Sequence, residues 1–245
     1  MTVKLYSIKD VVTQDLTQNK FPAILRSWQG NSLELDAAGT HFGFVYQGNP
    51  ALIRQPSASP TLLTEPKKES YTLQPGMYFC LPNGGQIKGE NSSGMVITYF
   101  NYRGMFTIGG AIEATGRFAY IDGGTNSLLI PPIMSGNPCL NAMYLPSGVD
   151  QTFHTHPSYR IGLVVAGEGE IITSQTTEVL TPGTIFYICA NHLHKFCTFN
   201  HNLTIVVFHP DSNLGFSNRN NPMLKRTIVD GISAAEIPQI QTKLT

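Results

Sequence analysis

Short apolar stretches alternate with turn residues along most of the chain, and sustained helical periodicity is absent. From Trp28 onward, Leu33-Glu34-Leu35-Asp36 alternates between apolar and polar residues, and Phe42-Gly43-Phe44-Val45-Tyr46 is rich in aromatic and branched side chains. Both patterns are typical of β-strands. Further short strands are predicted at residues 71–73, 77–81 and 95–100. The pattern therefore predicts an all-β barrel or sandwich.

The two ends of the chain differ from this strand-rich middle. Near the start, apolar Leu5-Tyr6-Ser7-Ile8 precedes a polar segment at residues 10–18, which predicts a strand and then a helical turn. Near the end, Ile228-Val229 and a short helix opened by Ser233 are predicted. We interpret residues 1–25 as an N-terminal arm. Residues 213–245 are interpreted as a C-terminal arm that packs on the barrel or on another subunit.

The strand pattern repeats within the chain. The segment Gly43 to Gly48 matches Gly162 to Gly167 at an offset of 119, and Leu73 to Gly76 matches Leu180 to Gly183 at an offset of 107. The difference falls between residues 55 and 68, a stretch predicted to be an exposed loop in which insertion costs little. Two copies of one β-unit therefore account for the sequence. They predict domains at residues 26–108 and 109–212.

Composition restricts the kind of partner that the protein is expected to have. The chain has 245 residues, of which 41% are hydrophobic, and its 16 basic residues balance 16 acidic ones. This balance gives no basic surface for nucleic acid or anionic membrane, and no apolar run approaches the length of a membrane span. The four cysteines form no C-x-x-C pair. We expect a cytoplasmic protein that binds a small molecule, and neither nucleic acid nor membrane.

Three histidines are the candidate metal ligands. His154 and His156 lie two residues apart, and in an extended segment alternate side chains point to the same face. His194 follows after a Pro-Gly turn and one more apolar strand. Neutral imidazole suits iron, nickel, copper and zinc, and three such ligands leave coordination positions for water, substrate or dioxygen.

The segments around these histidines resemble the two conserved motifs of the cupin superfamily. The residues that carry the first motif are Gly148, His154, His156, Arg160 and Gly167, and those that carry the second are Pro182, Gly183 and His194. The resemblance covers residues 30 to 210 and implies a bicupin, with two tandem jelly-roll barrels and one divalent transition metal in the second. In the first half, Leu35, Ala37 and Ile87 stand at the three histidine positions, so the first copy resembles a degenerate cupin. Pairing through edge strands or arms, common in cupins, makes a homodimer an expectation.

Arg160 occupies the position at which the first cupin motif usually has glutamate. A guanidinium group has five donors and no lone pair, and it stays charged in proteins, so Arg160 cannot be a metal ligand. If its side chain points inward, it can hold a substrate carboxylate or enolate through two parallel hydrogen bonds. We therefore predict that Arg160 binds an anionic substrate, with a structural ion pair as the alternative.

Two neighbouring residues are candidates for proton transfer. His192, two residues before His194, is predicted to be a fourth ligand or an acid/base group, or else a loop histidine bonded to the backbone. Tyr159 is a candidate hydrogen-bond donor to the substrate, with aromatic packing as the alternative. The remaining histidines lack partners at ligand spacing and are predicted to be structural or solvent-facing: His41, His201 and His209.

Three functions are compatible with this sequence. Cupins with three histidines and no glutamate include thiol dioxygenases and diketone-cleaving dioxygenases. The resemblance therefore implies a non-haem Fe(II) dioxygenase, an oxidoreductase acting on a small carboxylate, thiol or keto-enol substrate. The alternatives are a metal-dependent isomerase, tautomerase or lyase of small-molecule metabolism, and a small-molecule-binding cupin without catalysis. Ni²⁺, Mn²⁺, Cu²⁺ and Zn²⁺ stay open beside Fe²⁺, because ligand type alone does not select the metal.

Overall fold

The computed structural model describes residues 3–56, 67–217 and 220–242. Strands dominate this part of the chain, which confirms the all-β prediction. The predicted loop at residues 55–68 lies mostly outside the described residues. The strands of the first half are β1 (Val3–Ser7), β2 (Thr13–Asp15), β3 (Ala23–Gln29), β4 (Leu33–Leu35), β5 (Thr40–Gln47), β6 (Ala51–Arg54), β7 (Glu69–Thr72), β8 (Tyr78–Pro82), β9 (Gly85–Lys88), β10 (Ser93–Tyr99) and β11 (Thr107–Gly109).

The second half continues with nine strands and a short tail. The strands are β12 (Phe118–Ala119), β13 (Thr125–Ile130), β14 (Cys139–Leu145), β15 (Arg160–Gly167), β16 (Gly169–Thr173), β17 (Thr177–Leu180), β18 (Thr184–Ile188), β19 (His194–Cys197) and β20 (Leu203–His209). The tail consists of the helix α1 (Pro222–Arg226) and a hairpin of β21 (Ile228–Val229) and β22 (Ile232–Ser233). Short 3-10 turns lie at Ile121–Gly123, Ala234–Glu236 and Pro238–Ile240.

Each half forms a two-sheet antiparallel barrel. In the first, a six-stranded sheet of order β11-β8-β5-β10-β3-β2 faces a four-stranded sheet of order β4-β9-β6-β7. In the second, a seven-stranded sheet of order β1-β18-β15-β20-β14-β13-β12 faces a three-stranded sheet of order β17-β16-β19. The central strands therefore occur in the same order in both barrels, with β8-β5-β10-β3 matching β18-β15-β20-β14. This correspondence confirms the prediction of two copies of one β-unit.

A packing contact shows the repeat at the level of single residues. Gly43 on β5 lies opposite Phe79 on β8, and Gly162 on β15 lies opposite Phe186 on β18. In each pair, the ring of the phenylalanine fills the space that a Cβ atom on the glycine would need. Both phenylalanines are fully buried. Glycine is thus required at these positions because a neighbouring ring covers the strand there.

One strand at the start of the chain and one strand after the first barrel extend the edges of the two large sheets. β1 pairs with β18 in the second barrel, from Val3 opposite Ile188 to Ser7 opposite Thr184. β11 follows the first barrel and pairs with the corresponding strand, β8, of that barrel. β1 lies in the predicted N-terminal arm, yet it completes the large sheet of the second barrel. The predicted domain boundaries remain a prediction. The predicted helical turn in this arm is wrong, because residues 13–15 form β2 instead.

One hydrophobic cluster joins the outer faces of the two large sheets. It includes Phe42 of β5 and Phe208 of β20, whose ring centroids lie 5.0 Å apart. The hydroxyl of Tyr159 donates a hydrogen bond to the carbonyl oxygen of Phe21 at 2.9 Å across the same junction. The two barrels are therefore packed together by a buried core as well as by β1.

The interior of the first barrel is filled by apolar side chains. Leu35 and Ile87, which stand at the positions of two metal-ligand histidines, are buried there with Trp28 and Phe79. No lone-pair donor stands at any of the three positions, so this copy lacks the three-histidine set of the second copy. The structure thus confirms a degenerate first cupin.

The tail is hydrogen-bonded mainly to itself. Asn221 caps α1 by accepting from the Met223 amide, and Ser233 caps the predicted short helix, which is a 3-10 turn. The neighbouring segment is tied to the second barrel by the Ser135 and Gly136 amides, which donate to the carbonyls of Phe216 and Ser212. Among the described residues, no helix is long and apolar enough to cross a membrane.

Candidate metal centre

Three histidines of the second barrel lie close together. His154 and His156 come from the segment between β14 and β15, and His194 begins β19. One ring nitrogen of each lies within 4.8 Å of the others, and the ring centroids are 4.7 to 5.3 Å apart. The structure thus brings the three predicted residues into one space. They form a possible metal site.

Backbone hydrogen bonds orient two of the three rings. His154 Nδ1 lies 2.9 Å from the carbonyl oxygen of Thr152, and His194 Nδ1 lies 2.8 Å from that of His192. A carbonyl oxygen can only accept, so each Nδ1 carries the proton and each Nε2 keeps its lone pair. This is the usual arrangement of a metal-binding histidine, in which a hydrogen bond at one nitrogen fixes the tautomer for the other.

Burial keeps the imidazoles of His156 and His194 neutral. Burial, and then the nearby Arg160, lower the pKa of His156 to about 3. Burial also lowers the pKa of His194 to about 4, although the hydrogen bond to the His192 carbonyl acts in the opposite direction. A neutral imidazole is the form that donates a lone pair to a metal. Both rings are thus ready to bind a cation at neutral pH.

The histidines open into a small cavity inside the second barrel. Its volume is about 60 Å³, and since roughly 10–15 Å³ of such volume holds one water, the cavity has room for several water-sized groups. None of the described residues that line it is acidic. Beside the three histidines, its lining includes Asn126, Asn141, Met143, Arg160, Val207 and His209.

Arg160 points into this cavity and is only 7% exposed. Its Nη1 donates to the carbonyl oxygens of Ser158 and Tyr159 at 3.1 and 2.9 Å and to the Ser158 hydroxyl at 2.7 Å. Ser158 donates in turn to Asp211, so the guanidinium meets that carboxylate only through a hydroxyl. Arg160 Nε is buried and has no hydrogen-bond partner among the described residues. A buried donor without a partner is costly, which favours a ligand that accepts from it.

The two predicted proton-transfer residues do not line the cavity. Tyr159 is buried in the junction between the barrels, where its hydroxyl donates to Phe21, and burial raises its pKa far above the ordinary tyrosine value. His192 lies in the turn before β19 and contributes its carbonyl oxygen to His194. His192 Nε2 is buried without a partner among the described residues. The structure therefore brings together Arg160 and the three ligands, but not Tyr159 or His192.

His209 and Asn141 are among the cavity residues that were not predicted as site residues. His209 was expected to be structural or solvent-facing, yet it lines the cavity with its ring centroid 6.5 Å from that of His156. Its Nε2 lies 3.2 Å from Asn141 Nδ2, and burial lowers its pKa well below the ordinary histidine value. A signal existed in the sequence, because Val207 and His209 alternate on one face of β20. Asn141 gave no motif signal.

The residues present fit a divalent cation. Three neutral nitrogen ligands converge, and His194 Nε2 is buried with no hydrogen-bond partner among the described residues. A metal ion would satisfy this nitrogen, which a purely structural histidine would have paired with a donor. Three protein ligands also leave coordination positions open, as in catalytic rather than structural metal sites.

Two tandem jelly-roll barrels, one with a cluster of three histidines inside it, define the fold class of this chain. Residues 147–198 match a family model described as the AraC-like ligand binding domain. No curated protein sequence matches the chain. The sequence motifs, this match and the structural neighbours described next agree, and the chain has the cupin fold in two tandem copies.

Several solved structures share this fold. A cupin 2 conserved barrel domain protein from Leptotrichia buccalis is 16% identical, with 86% of this chain and 98% of that chain covered at a TM-score of 0.60. A putative glyoxylate induced protein from Pseudomonas aeruginosa is 15% identical, with 88% and 91% covered at a TM-score of 0.60. Oxalate decarboxylase from Bacillus subtilis, which has Mn(II) centres, is 8% identical, with 91% and 81% covered at a TM-score of 0.55. The likeness at these identities concerns the fold alone.

Proposed function

We propose that the protein is a metal-dependent cupin enzyme that binds a small anionic substrate in the second barrel. The observation that carries the proposal is that Arg160, a buried cation whose Nε has no partner among the described residues, lines the same cavity as three converging histidines. None of the described residues that line the cavity is acidic, and Asp211 meets the guanidinium only through the Ser158 hydroxyl, so Arg160 has no direct ion pair that would compete with a ligand. A carboxylate, thiolate or enolate is the group that this site would hold.

The histidines and Arg160 would have different roles in this enzyme. His154, His156 and His194 would hold the metal, for which we propose Fe²⁺, through Nε2 of at least the two rings that are fixed at Nδ1. When bound, this metal would supply Lewis-acid and redox chemistry toward the substrate and dioxygen. Arg160 would orient the anionic group, and its partners Ser158 and Tyr159 would keep the guanidinium in place.

A dioxygenase reaction is the function that we propose for this arrangement. It needs a small substrate and room for dioxygen, and three protein ligands leave the open positions that both require. The apolar lining residues Met143, Phe186 and Val207 exclude water from the reacting groups. The cavity of about 60 Å³ favours a small substrate.

A second candidate function is small-molecule binding without turnover. The match of residues 147–198 to a ligand-binding domain favours it, because that segment contains all three histidines and Arg160. This function uses the same cavity and the same anion-binding group. It differs from the first only in having no reaction after binding.

One set of measurements separates these functions. The protein is purified without chelator, its metal is identified by elemental analysis, and the Fe(II)-loaded form is tested for oxygen uptake with a panel of small carboxylic acids, thiols and diketones. Oxygen uptake coupled to loss of substrate supports the dioxygenase. Turnover that continues under argon indicates a redox-neutral isomerase or lyase, and binding without turnover indicates the second candidate. Failure to bind a stoichiometric metal, unchanged by His154→Ala/His156→Ala, would overturn the site.

A further inference from the structure

The first barrel carries polar residues at the same sheet positions as the cavity of the second. Gly43, Val96 and Arg26 lie side by side on β5, β10 and β3, as Gly162, Val207 and Asn141 do on β15, β20 and β14. The register therefore makes Arg26 the counterpart of Asn141. His41 lies two residues before Gly43, as Arg160 lies two residues before Gly162, so these two are counterparts. In the same way, Thr98 is the counterpart of His209, because each follows the matched valine of its strand by two residues.

In the first barrel these side chains bond to one another and to the backbone. His41 Nδ1 lies 2.9 Å from Thr98 Oγ1, and His41 Nε2 lies 2.8 Å from the carbonyl oxygen of Asp36. Arg26 donates to the Glu34 carbonyl at 2.9 Å and to Thr98 Oγ1 at 3.3 Å, and only its Nε is left without a partner. Both ring nitrogens of His41 thus have hydrogen-bond partners, and this cluster has a structural role.

In the second barrel the corresponding cluster is incomplete. Asn141 is 8% exposed, and its Nδ2 donates to His209 Nε2, but its Oδ1 is buried without a partner among the described residues. An amide oxygen is a pure acceptor, and leaving it unpaired costs about as much as a lost hydrogen bond. Both Asn141 and Arg160 line the cavity, so a residue with an unpaired acceptor and a residue with an unpaired donor border the same small space.

We infer that Asn141 is a second recognition point of this cavity, accepting a hydrogen bond from the ligand, and that His209 positions the Asn141 amide. This inference rests on the proposed function, since it assumes that Arg160 holds an anionic group of the same ligand. His209 Nε2 accepts from Asn141 Nδ2, which occupies one end of the amide and leaves Oδ1 as its unpaired end. The ligand must therefore carry a donor as well as an acidic group.

The charge of the cavity indicates that the hydrogen-bond donor of the ligand is a neutral group. Arg160 is a permanent cation, and none of the described lining residues is acidic, so an ammonium group would be repelled. A hydroxyl is the smallest neutral donor that fits a cavity of about 60 Å³. The class of ligand that matches both unpaired atoms is a small hydroxy acid.

The test compares two acids that differ by one hydroxyl, glycolate and acetate. Their binding to the full-length Fe(II)-loaded protein is measured under argon by calorimetry. We expect glycolate to bind ten- to a hundredfold more tightly than acetate, roughly the range for pairing a buried polar group. Asn141→Leu should abolish this preference, whereas Arg160→Leu should weaken both acids by a similar factor. Asn200→Leu, a change at an exposed asparagine, is the matched control and should keep wild-type binding.

A pair of substitutions at His209 tests its positioning role and remains informative if Asn141→Leu does not fold. His209→Gln keeps an acceptor for Asn141 Nδ2 and should retain much of the preference, whereas His209→Leu should lose it. Preference for glycolate that survives both Asn141→Leu and His209→Leu would come from chelation by the metal, and would overturn this inference alone. If neither acid binds the wild-type protein, the proposed anion site fails, and the inference fails with it.

Discussion

His154 and His194 are joined by a two-way backbone bridge. The His154 amide donates to the His194 carbonyl at 2.9 Å, and the His194 amide donates to the His154 carbonyl at 3.0 Å. The two residues come from separate motifs of the sequence, yet their backbones are fixed by an isolated antiparallel pair. These two candidate metal ligands are therefore fixed to each other by backbone hydrogen bonds.

Replacing a ligand should remove metal binding without unfolding the barrel. We expect His194→Ala to weaken metal affinity by more than about a hundredfold, because the loss of a ligand exceeds the ten- to hundredfold effect of losing an outer partner. The affinity is measured by competition with a chromophoric chelator. His201→Ala is the control, since His201 is exposed and outside the cluster. Equal affinity in both variants would exclude His194 as a ligand.

Arg160→Leu should weaken the binding of anionic ligands. Loss of the charge-assisted pair should raise the KM, or the Kd of a small carboxylate, by about ten- to a hundredfold. Arg160→Lys should recover part of the affinity through its charge, but not the directed Nε donor. If Arg160→Leu binds anions as the wild type does, the residue has a structural role through Ser158 and Asp211.

Tyr159→Phe should affect stability and leave the metal site intact. The change removes the hydrogen bond to the Phe21 carbonyl and leaves this acceptor unpaired, which should lower the free energy of unfolding by about 1 kcal/mol. Denaturant unfolding and metal content are the measurements. A variant of wild-type stability that loses turnover would instead support the predicted role of Tyr159 as a hydrogen-bond donor to substrate.

His41 should make the metal-free protein sensitive to acid. Burial lowers its pKa to about 4 from an ordinary value of 6.5, with the Asp36 hydrogen bond acting against this and the Arg26 charge adding to it. Between those two pH values the unfolded chain binds a proton that the folded chain does not, so stability falls as the pH falls. Above pH 6.5 this group contributes no slope.

The expected loss of stability from His41 is about 3 kcal/mol between pH 6.5 and 4. It is measured as the difference in pH dependence between the wild type and His41→Gln, by urea unfolding of metal-free protein. His41→Gln should be less stable at pH 7 but should show the shallower slope. Parallel slopes in the two proteins would show that His41 is protonated equally in both states.

Gly162→Ala should destabilise the protein because the added Cβ atom would clash with the ring of Phe186. A Cβ atom at this position meets the Phe186 side chain, which is fully buried and cannot move freely. We expect a loss of about 2 kcal/mol, a typical cost of overpacking. Phe186→Leu in the same chain should recover part of it, with a coupling of about 1 kcal/mol in a double-mutant cycle. Additive effects would mean that the ring and the glycine do not constrain each other.

The sequence predicted the fold because two of its signals are local. Alternation within short strands and the repeated Gly-x-x-x-x-Gly segments depend only on neighbouring residues, and both are matched by β5 and β15. The spacing of His154 and His156 is local as well, and the second motif supplied His194. These features could be recognised without knowing which strands pair.

The rest of the site depends on pairing between distant strands. Asn141 and His209 are 68 positions apart and meet only because β14 and β20 are neighbours in the sheet. Tyr159 and Arg160 were both predicted to face the substrate, yet adjacent residues in an extended segment point in opposite directions. Only Arg160 could therefore reach the cavity once β15 was placed, and Tyr159 went to the junction between the barrels.

The pairing of β1 with β18 affects the order in which the protein can be completed. β1 leaves the ribosome long before β18 exists, since Ser7 pairs with Thr184. Until then its edge is unpaired, a state that invites pairing with other chains. A contact of such sequence separation is also slow to form. The second barrel, which carries the histidines, therefore cannot be expressed alone from its own strands without exposing the edge of β18.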